Sequence, residues 1–133
     1  VKLSECFKLY HWHDSVVHKI EHIAEDRLLL MRIDLCEWIL PTPYSEKRGS
    51  FVFDGVEELE FEQGEPIVEA VIWNDEAISA TVLGADPVPE RNRNGLEAAK
   101  LFMSFDFFQP KHFEEFGTLR FLAKNVEWYD LDD

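Results

Sequence analysis

The sequence predicts a mostly β domain, built from antiparallel hairpins that form a single sandwich or a partly open barrel with at most one or two short helices. Three observations predict it. The commonest pattern is a short run rich in β-branched and aromatic residues, closed off by turn residues. Leu28–Trp38 (LLLMRIDLCEW) shows period-two alternation, with Leu29, Met31, Ile33 and Leu35 on one face. Hairpin-type dipeptides and short polar connections separate the runs. An α+β arrangement is the alternative. The chain has 133 residues, 46% of them apolar, including eleven Phe and four Trp. That is enough for one well-filled core, and we expect a single domain over 1–133.

The opening stretch, YHWHDSVVHKIEH, admits two readings. Val16, Val17, Ile20, Ile23 and Ala24 recur at helical spacing, with Asp14 or Ser15 as N-cap. The same residues are β-branched, and Ala24–Arg27 makes a compact turn into the next run, so a strand is expected. Ser50–Phe53 and Val56–Glu62 flank Asp54-Gly55, the signature of a two-residue hairpin turn. Ile67–Trp73 and Ala77–Leu83 flank Asn74-Asp75-Glu76 as a second hairpin. Leu101–Phe108 and Thr118–Tyr129 make a third pair around Gln109–Gly117, with one helical turn at His112–Phe116. Gly84–Gly95 (GADPVPERNRNG) is expected to be a long irregular loop, because its prolines and asparagines break regular elements.

Charge excludes several partners. The net charge is −14, from 27 acidic and 13 basic residues, which argues against a phosphate backbone and against an anionic membrane surface. No apolar run is long enough to span a bilayer, and no secretory signal pattern is visible. Two cysteines, Cys6 and Cys36, lack metal-ligand spacing and are read as reduced thiols, consistent with a cytoplasmic protein.

The negative charge is unevenly placed. No Lys or Arg occurs between Gly49 and Glu90, while Asp54, Glu57, Glu58, Glu60, Glu62, Glu65, Glu69, Asp75, Glu76, Asp86 and Glu90 all do. In a regular strand Glu58, Glu60 and Glu62 share a face opposite Leu59 and Phe61. Their mutual repulsion becomes attraction when a cationic surface docks. Glu58, Glu60, Glu62 and Glu65 are therefore the candidate contacts for a basic protein partner.

Catalytic and metal readings are weaker. His11 and His13 have the H-x-H spacing that directs two imidazoles the same way on a strand, and Asp14 adjoins them. These three are the candidate metal ligands, in a metal- or small-ligand-binding alternative, with His18 and His22 nearby; the linear pattern does not show which residue converges with the two histidines. Tyr10 and Trp12 instead point to alternate residues entering a core, with His13 and Asp14 a structural pair at a strand's start. Ser15 beside His13 and Asp14 does not make a triad, and no nucleophile elbow, phosphate loop or dinucleotide fingerprint occurs. No cofactor and no catalytic residue is assigned. A third reading is a self-associating structural module, in which the Phe-rich C-terminal half exposes an apolar face.

Three pieces occur together: His13-Asp14-Ser15 followed by Val17 and Ile20, then Leu28-x-Leu30 through Ile33-Asp34-Leu35, then Phe53-Asp54-Gly55-Val56. Their order resembles small bacterial β-rich domains of unknown function, including some immunity proteins linked to polymorphic toxins. The resemblance covers the N-terminal part of the chain. It implies that the His-Asp pair introduces a first hairpin, which is the reason for placing a strand after Asp14. It also implies an inhibitor of a toxin that it does not identify, with no catalytic residues carried over; the acidic charge is what makes the expected partner basic.

Overall fold

The computed structural model describes residues 1–39, 42–61, 65–66, 78–107 and 113–131. One helix, α1 (Leu3–Leu9), precedes nine strands among the described residues: β1 Val16–Ile23, β2 Leu28–Ile39, β3 Thr42–Asp54, β4 Glu57–Phe61, β5 Glu65–Pro66, β6 Ile78–Pro87, β7 Glu97–Phe107, β8 Phe113–Ala123 and β9 Asn125–Asp130. They form one antiparallel sheet in the order β5-β4-β8-β7-β6-β1-β2-β3-β9. The fold is mostly antiparallel β, as expected. Among the described residues no helix is long and apolar enough to cross a membrane.

The stretch after Asp14 is a strand. Its β-branched residues pair with β2 from Val16↔Asp34 to Ile23↔Leu28. The reversal between them uses a 3-10 turn at Ala24–Asp26, closed by Arg27 in the left-handed region at φ 55°. On β2, Leu29, Met31, Ile33 and Leu35 are all fully buried, so the alternation does direct one face into the core.

Asp54-Gly55 is not a hairpin turn. A tight two-residue turn of that kind needs positive φ at both central residues. Gly55 has it, at 62°, but Asp54 does not. Asp54 instead stays in the ladder opposite Asn125 and accepts that residue's N–H at its side chain, 3.1 Å away. The chain kinks and continues. β3 pairs with β9 from Gly49↔Asp130 to Asp54↔Asn125, and β4 resumes the same ladder against β8 at Glu57↔Leu122. β3 and β4 are thus one bent strand, running antiparallel to β8 and β9, which are another. This bends the sheet back on itself as a partly open barrel that is not closed, its ladder interrupted at the kink.

The two-residue turn occurs instead at Asn94-Gly95, where φ is 51° and 78°. Arg93 and Leu96 exchange both backbone hydrogen bonds around it, at 3.1 and 2.8 Å. The supposed loop Gly84–Gly95 is correspondingly shorter. β6 runs on to Pro87, paired with Ala99, after a bulge between Val82 and Gly84. Proline is tolerated there because it ends the strand. Leu101–Phe107 and Thr118–Ala123 do pair as expected, within a longer β7–β8 ladder from Glu97↔Ala123 to Phe107↔Phe113, but the expected strand Thr118–Tyr129 breaks at Lys124 and its Asn125–Tyr129 part pairs with β3 instead. Phe113–Phe116 is therefore strand and not a helical turn: one isolated turn satisfies few backbone groups, whereas the ladder satisfies them all. The expected hairpin at Asn74–Glu76, with its first strand Ile67–Trp73, lies outside the described residues, as does His112.

The interior is filled by side chains from every wall. Phe53 on β3 meets Phe121 on β8 edge-on, with centroids 5.0 Å apart, although these strands share no hydrogen bonds. Trp12 stacks on Phe51 at 4.6 Å and Phe7 meets Trp12 edge-on at 5.5 Å, while Leu3 and Cys6 anchor α1 to the same core. Phe53→Ala should cost about 3–5 kcal/mol, the range for emptying a buried aromatic site. Urea denaturation measures this; a loss below about 1 kcal/mol would show that the cross-barrel contact is not where the core is held.

Candidate functional site

The histidine-rich stretch is a structural junction. Trp12 is buried and Tyr10 packs against the core, whereas His11, His13 and Asp14 are exposed. Asp14 sits in the left-handed region at φ 69° and donates its N–H to the Val82 carbonyl at 2.8 Å. Ser15, fully buried, donates its hydroxyl to the His11 carbonyl at 3.1 Å and accepts the Cys36 N–H at 2.9 Å. Its own carbonyl accepts from Val82 N–H at 2.8 Å. These bonds fasten β1, β2 and β6 at one place. The candidate metal ligands stay on the outside: the His11 and His13 ring centroids are 6.4 Å apart, and His13 Nδ1 is 3.2 Å from Asp14 Oδ2. Among the described residues no group of three or more His, Cys, Asp or Glu is placed to hold a metal ion.

The acidic strand is not the regular one expected. A bulge separates Glu57 from Glu60 in the ladder with β8, and Glu58 has φ 52°. Leu59 is still buried and Phe61 still packs on the core, but the alternation is broken at Glu58. Arg27 Nη2 donates to Glu57 Oε1 at 2.7 Å, and Arg93 Nη2 lies 2.8 Å from Glu58 Oε1 and 3.8 Å from Glu57 Oε2. Glu60 stands opposite Arg120. The Glu65 backbone pairs with Phe61 in β5, and Glu62 lies outside the described residues. Two carboxylates of the acidic segment are thus neutralised by arginines that sequence reading did not connect to it.

Arg27 and Glu57 line a pocket of about 360 Å³ together with Gly55, Asn94, Gly95, Leu96 and Lys124. Of the six described residues with positive φ, Arg27, Gly55, Asn94 and Gly95 line it and Glu58 adjoins it. Left-handed conformations in Arg, Glu and Asn carry a strain cost that surrounding contacts must hold in place; here Val56 N–H to the Arg27 carbonyl at 2.9 Å does so. The pocket is the underside of three backbone reversals clamped by ion pairs. The two glycine dipeptides, Asp54-Gly55 and Asn94-Gly95, were its only trace in the sequence; nothing pairs Arg27 with Glu57 by spacing.

Four titratable groups are displaced among the described residues, one of them the exposed Tyr129 hydroxyl, raised by the Glu127 carboxylate to which it donates at 2.8 Å. Burial pushes the Cys6 thiol up to about 12, only partly countered by the N-terminal charge, so Cys6 is a core residue and no nucleophile. Both cysteines are free thiols and buried. Burial also raises Asp34, but hydrogen bonds from Arg32 and His18, 2.8 Å each, and their charges hold it below its ordinary value. His22, buried with its Nδ1 unpartnered among the described residues, is pushed below 6.5 by burial. Compared with family models, curated proteins and solved structures, the chain matches none of them.

Two tests follow from these groups. A folded-state value below the unfolded one means that the unfolded chain takes up the His22 proton first, so stability falls as pH drops below 6.5. Urea denaturation at successive pH values from neutral downward should show this slope, and His22→Leu should flatten it; a wild-type protein with constant stability in that window would contradict the burial argument. Ser15→Ala leaves the Cys36 N–H without its acceptor and should cost about 1–3 kcal/mol, measured by thermal melting, whereas Ser4→Ala on α1 serves as the near-neutral control.

Proposed function

We propose that this chain is a non-enzymatic binding protein that engages a basic protein partner through its acidic exterior, in the manner of an immunity-like inhibitor acting in the bacterial cytoplasm. One observation supports the reading above the others: side chains pack the interior from every wall, so the net charge of −14 is displayed on the outside of a rigid β scaffold. A cationic partner approaching such a body is steered by the field of the whole molecule before any contact forms.

The docking edge we assign is β4 with β5. Glu60 lies one residue before the end of β4, and Glu62 and Glu65 follow it in the sequence. Glu58 takes part by exchanging Arg93 for a partner cation, a trade of one guanidinium contact for another. The exposed carboxylates of Glu25, Asp26, Asp86 and Glu90 add to the field without needing direct contact.

Affinity purification from the native host at low and high salt tests this. We expect a basic polypeptide that is retained at low salt, released at high salt, and lost when Glu58, Glu60, Glu62 and Glu65 are all changed to Lys. Recovery of no basic polypeptide, or of one that binds the quadruple variant equally well, would end the proposal.

A further inference from the structure

The pocket beneath the backbone reversals has the opposite sign to the molecule as a whole. Its lining holds two cations, Arg27 and Lys124, against one carboxylate, Glu57. Glu57 is already answered, by Arg27 Nη2 at 2.7 Å on one oxygen and Arg93 Nη2 at 3.8 Å from the other. Lys124 is not. Its exposed side-chain ammonium makes no ion pair or hydrogen bond with any described residue. One uncompensated positive charge thus borders a cavity of about 360 Å³, in a chain of net charge −14.

Backbone donors stand on the same cavity. At the Asn94-Gly95 turn, Arg93 and Leu96 exchange their own backbone groups, which leaves the Asn94 and Gly95 N–H groups without a partner among the described residues. A Cβ built on Gly95 would meet nothing within 4 Å, so the space beside the turn is open. Consecutive N–H groups in a turn make a concavity suited to anions. The left-handed residues gathered here add a second pointer, because such strain collects at ligand clamps.

The donor set selects the anion. Arg27 Nη2 is directed at Glu57 and, at 3.4 Å, at the Gly55 carbonyl. Both two-pronged edges of a guanidinium include that nitrogen, so neither is free to grip a planar carboxylate. What remains are single donors arriving from different places: Arg27 from the β1–β2 reversal, two amides from the Asn94-Gly95 turn, and Lys124 from the bend between β8 and β9. A tetrahedral oxyanion accepts from several directions at once, and a lysine serves it as a point charge. Buried Leu96 supplies an apolar wall beside them. We propose that this pocket binds a phosphate monoester, its phosphoryl group on Lys124 and the Asn94 and Gly95 amides, with Arg27 opposite and its organic part against Leu96.

This site is independent of the acidic-edge reading, since its ligand has the opposite charge and Lys124 takes no part in that edge. A body of net charge −14 repels anions, so any binding must come from the local constellation.

Titration of the full chain with inorganic phosphate and with phosphoserine, followed by amide NMR against chloride at matched ionic strength, tests the site. Saturable shifts of the Asn94, Gly95 and Lys124 amides are expected with both phosphates and not with chloride, phosphoserine binding at least as tightly. Lys124→Gln keeps a Cβ beside Gly55 and the backbone bond to the Asp54 carbonyl, so it should fold as the wild type does and weaken binding about tenfold. Lys8→Gln, the same loss of charge on the exposed side of α1, should not. Phosphoserine within a short peptide separates the sources: weaker binding than the free monoester points to a small metabolite, equal binding to a modified protein, and either keeps the site. Shifts that fail to saturate or that chloride reproduces overturn the proposal. So does binding that Lys124→Gln leaves intact, that Lys8→Gln weakens equally, or that accepts inorganic phosphate and no monoester.

Discussion

The antiparallel ladder between residues 49–61 and 119–130 is the constraint on which the rest of the molecule depends. Each of these stretches is one long strand broken once, by Gly55-Val56 in the first and by Lys124 in the second. The break lets the pair bend without losing register: Asp54 accepts the N–H groups of Lys124 and Asn125 with its carbonyl and carboxylate, at 2.8 and 3.1 Å. Because the upper half of each strand pairs on one side of the barrel and the lower half on the other, bending them together curls the sheet around its own core. A Cβ on Gly55 would sit 2.8 Å from the Lys124 Cβ, so the close approach of the two chains at the bend is open to glycine alone.

The same bend explains the local electrostatics. By turning β4 toward the Arg93–Leu96 turn and the Arg27 reversal, it brings Glu57 and Glu58 to cations that are far away in sequence. These exposed pairs contribute little individually, about 0–1 kcal/mol. Their effect is on where charge is displayed: they remove two carboxylates from an acidic run and leave Glu60 as the first one beyond them. The Asp34 cluster does likewise on β2, where Arg32 and His18 hold one carboxylate between them.

Much of the fold was legible because it rests on alternation. Leu29, Met31, Ile33 and Leu35 point one way whatever they pair with, and the β-branched run after Asp14 prefers an extended chain. Turn chemistry was read at the wrong glycine. Asp54-Gly55 and Asn94-Gly95 are both good hairpin dipeptides, and the choice between them lies in partners that no local pattern contains: Asn125 holds Asp54 extended, while the short 3-10 turn at Pro89–Arg91 delivers Arg93 to face Leu96. The helical turn expected at His112–Phe116 failed for the related reason that β7 offers Phe113–Phe116 a full ladder. Of the site residues, the buried role of Ser15 and the exposed rings of His11 and His13 follow from the inward pull of Tyr10 and Trp12. The arginine clamps on Glu57 and Glu58 were invisible, since Arg27 and Arg93 reach them only after the barrel has formed.

The wrapped ladder also sets how this chain must acquire its structure. Val16 pairs with Thr81, and Gly49 pairs with Asp130, so neighbouring hairpins zipped in sequence leave the barrel unsealed until segments far apart in the chain have met. Domains dominated by such non-local pairing fold on the millisecond-to-second scale, because loop-closure entropy is lost before the contacts that offset it can form. During that interval the half-built sheet exposes its apolar inner face, and the abundance of carboxylates along the slowest-closing strands keeps such intermediates from adhering to one another.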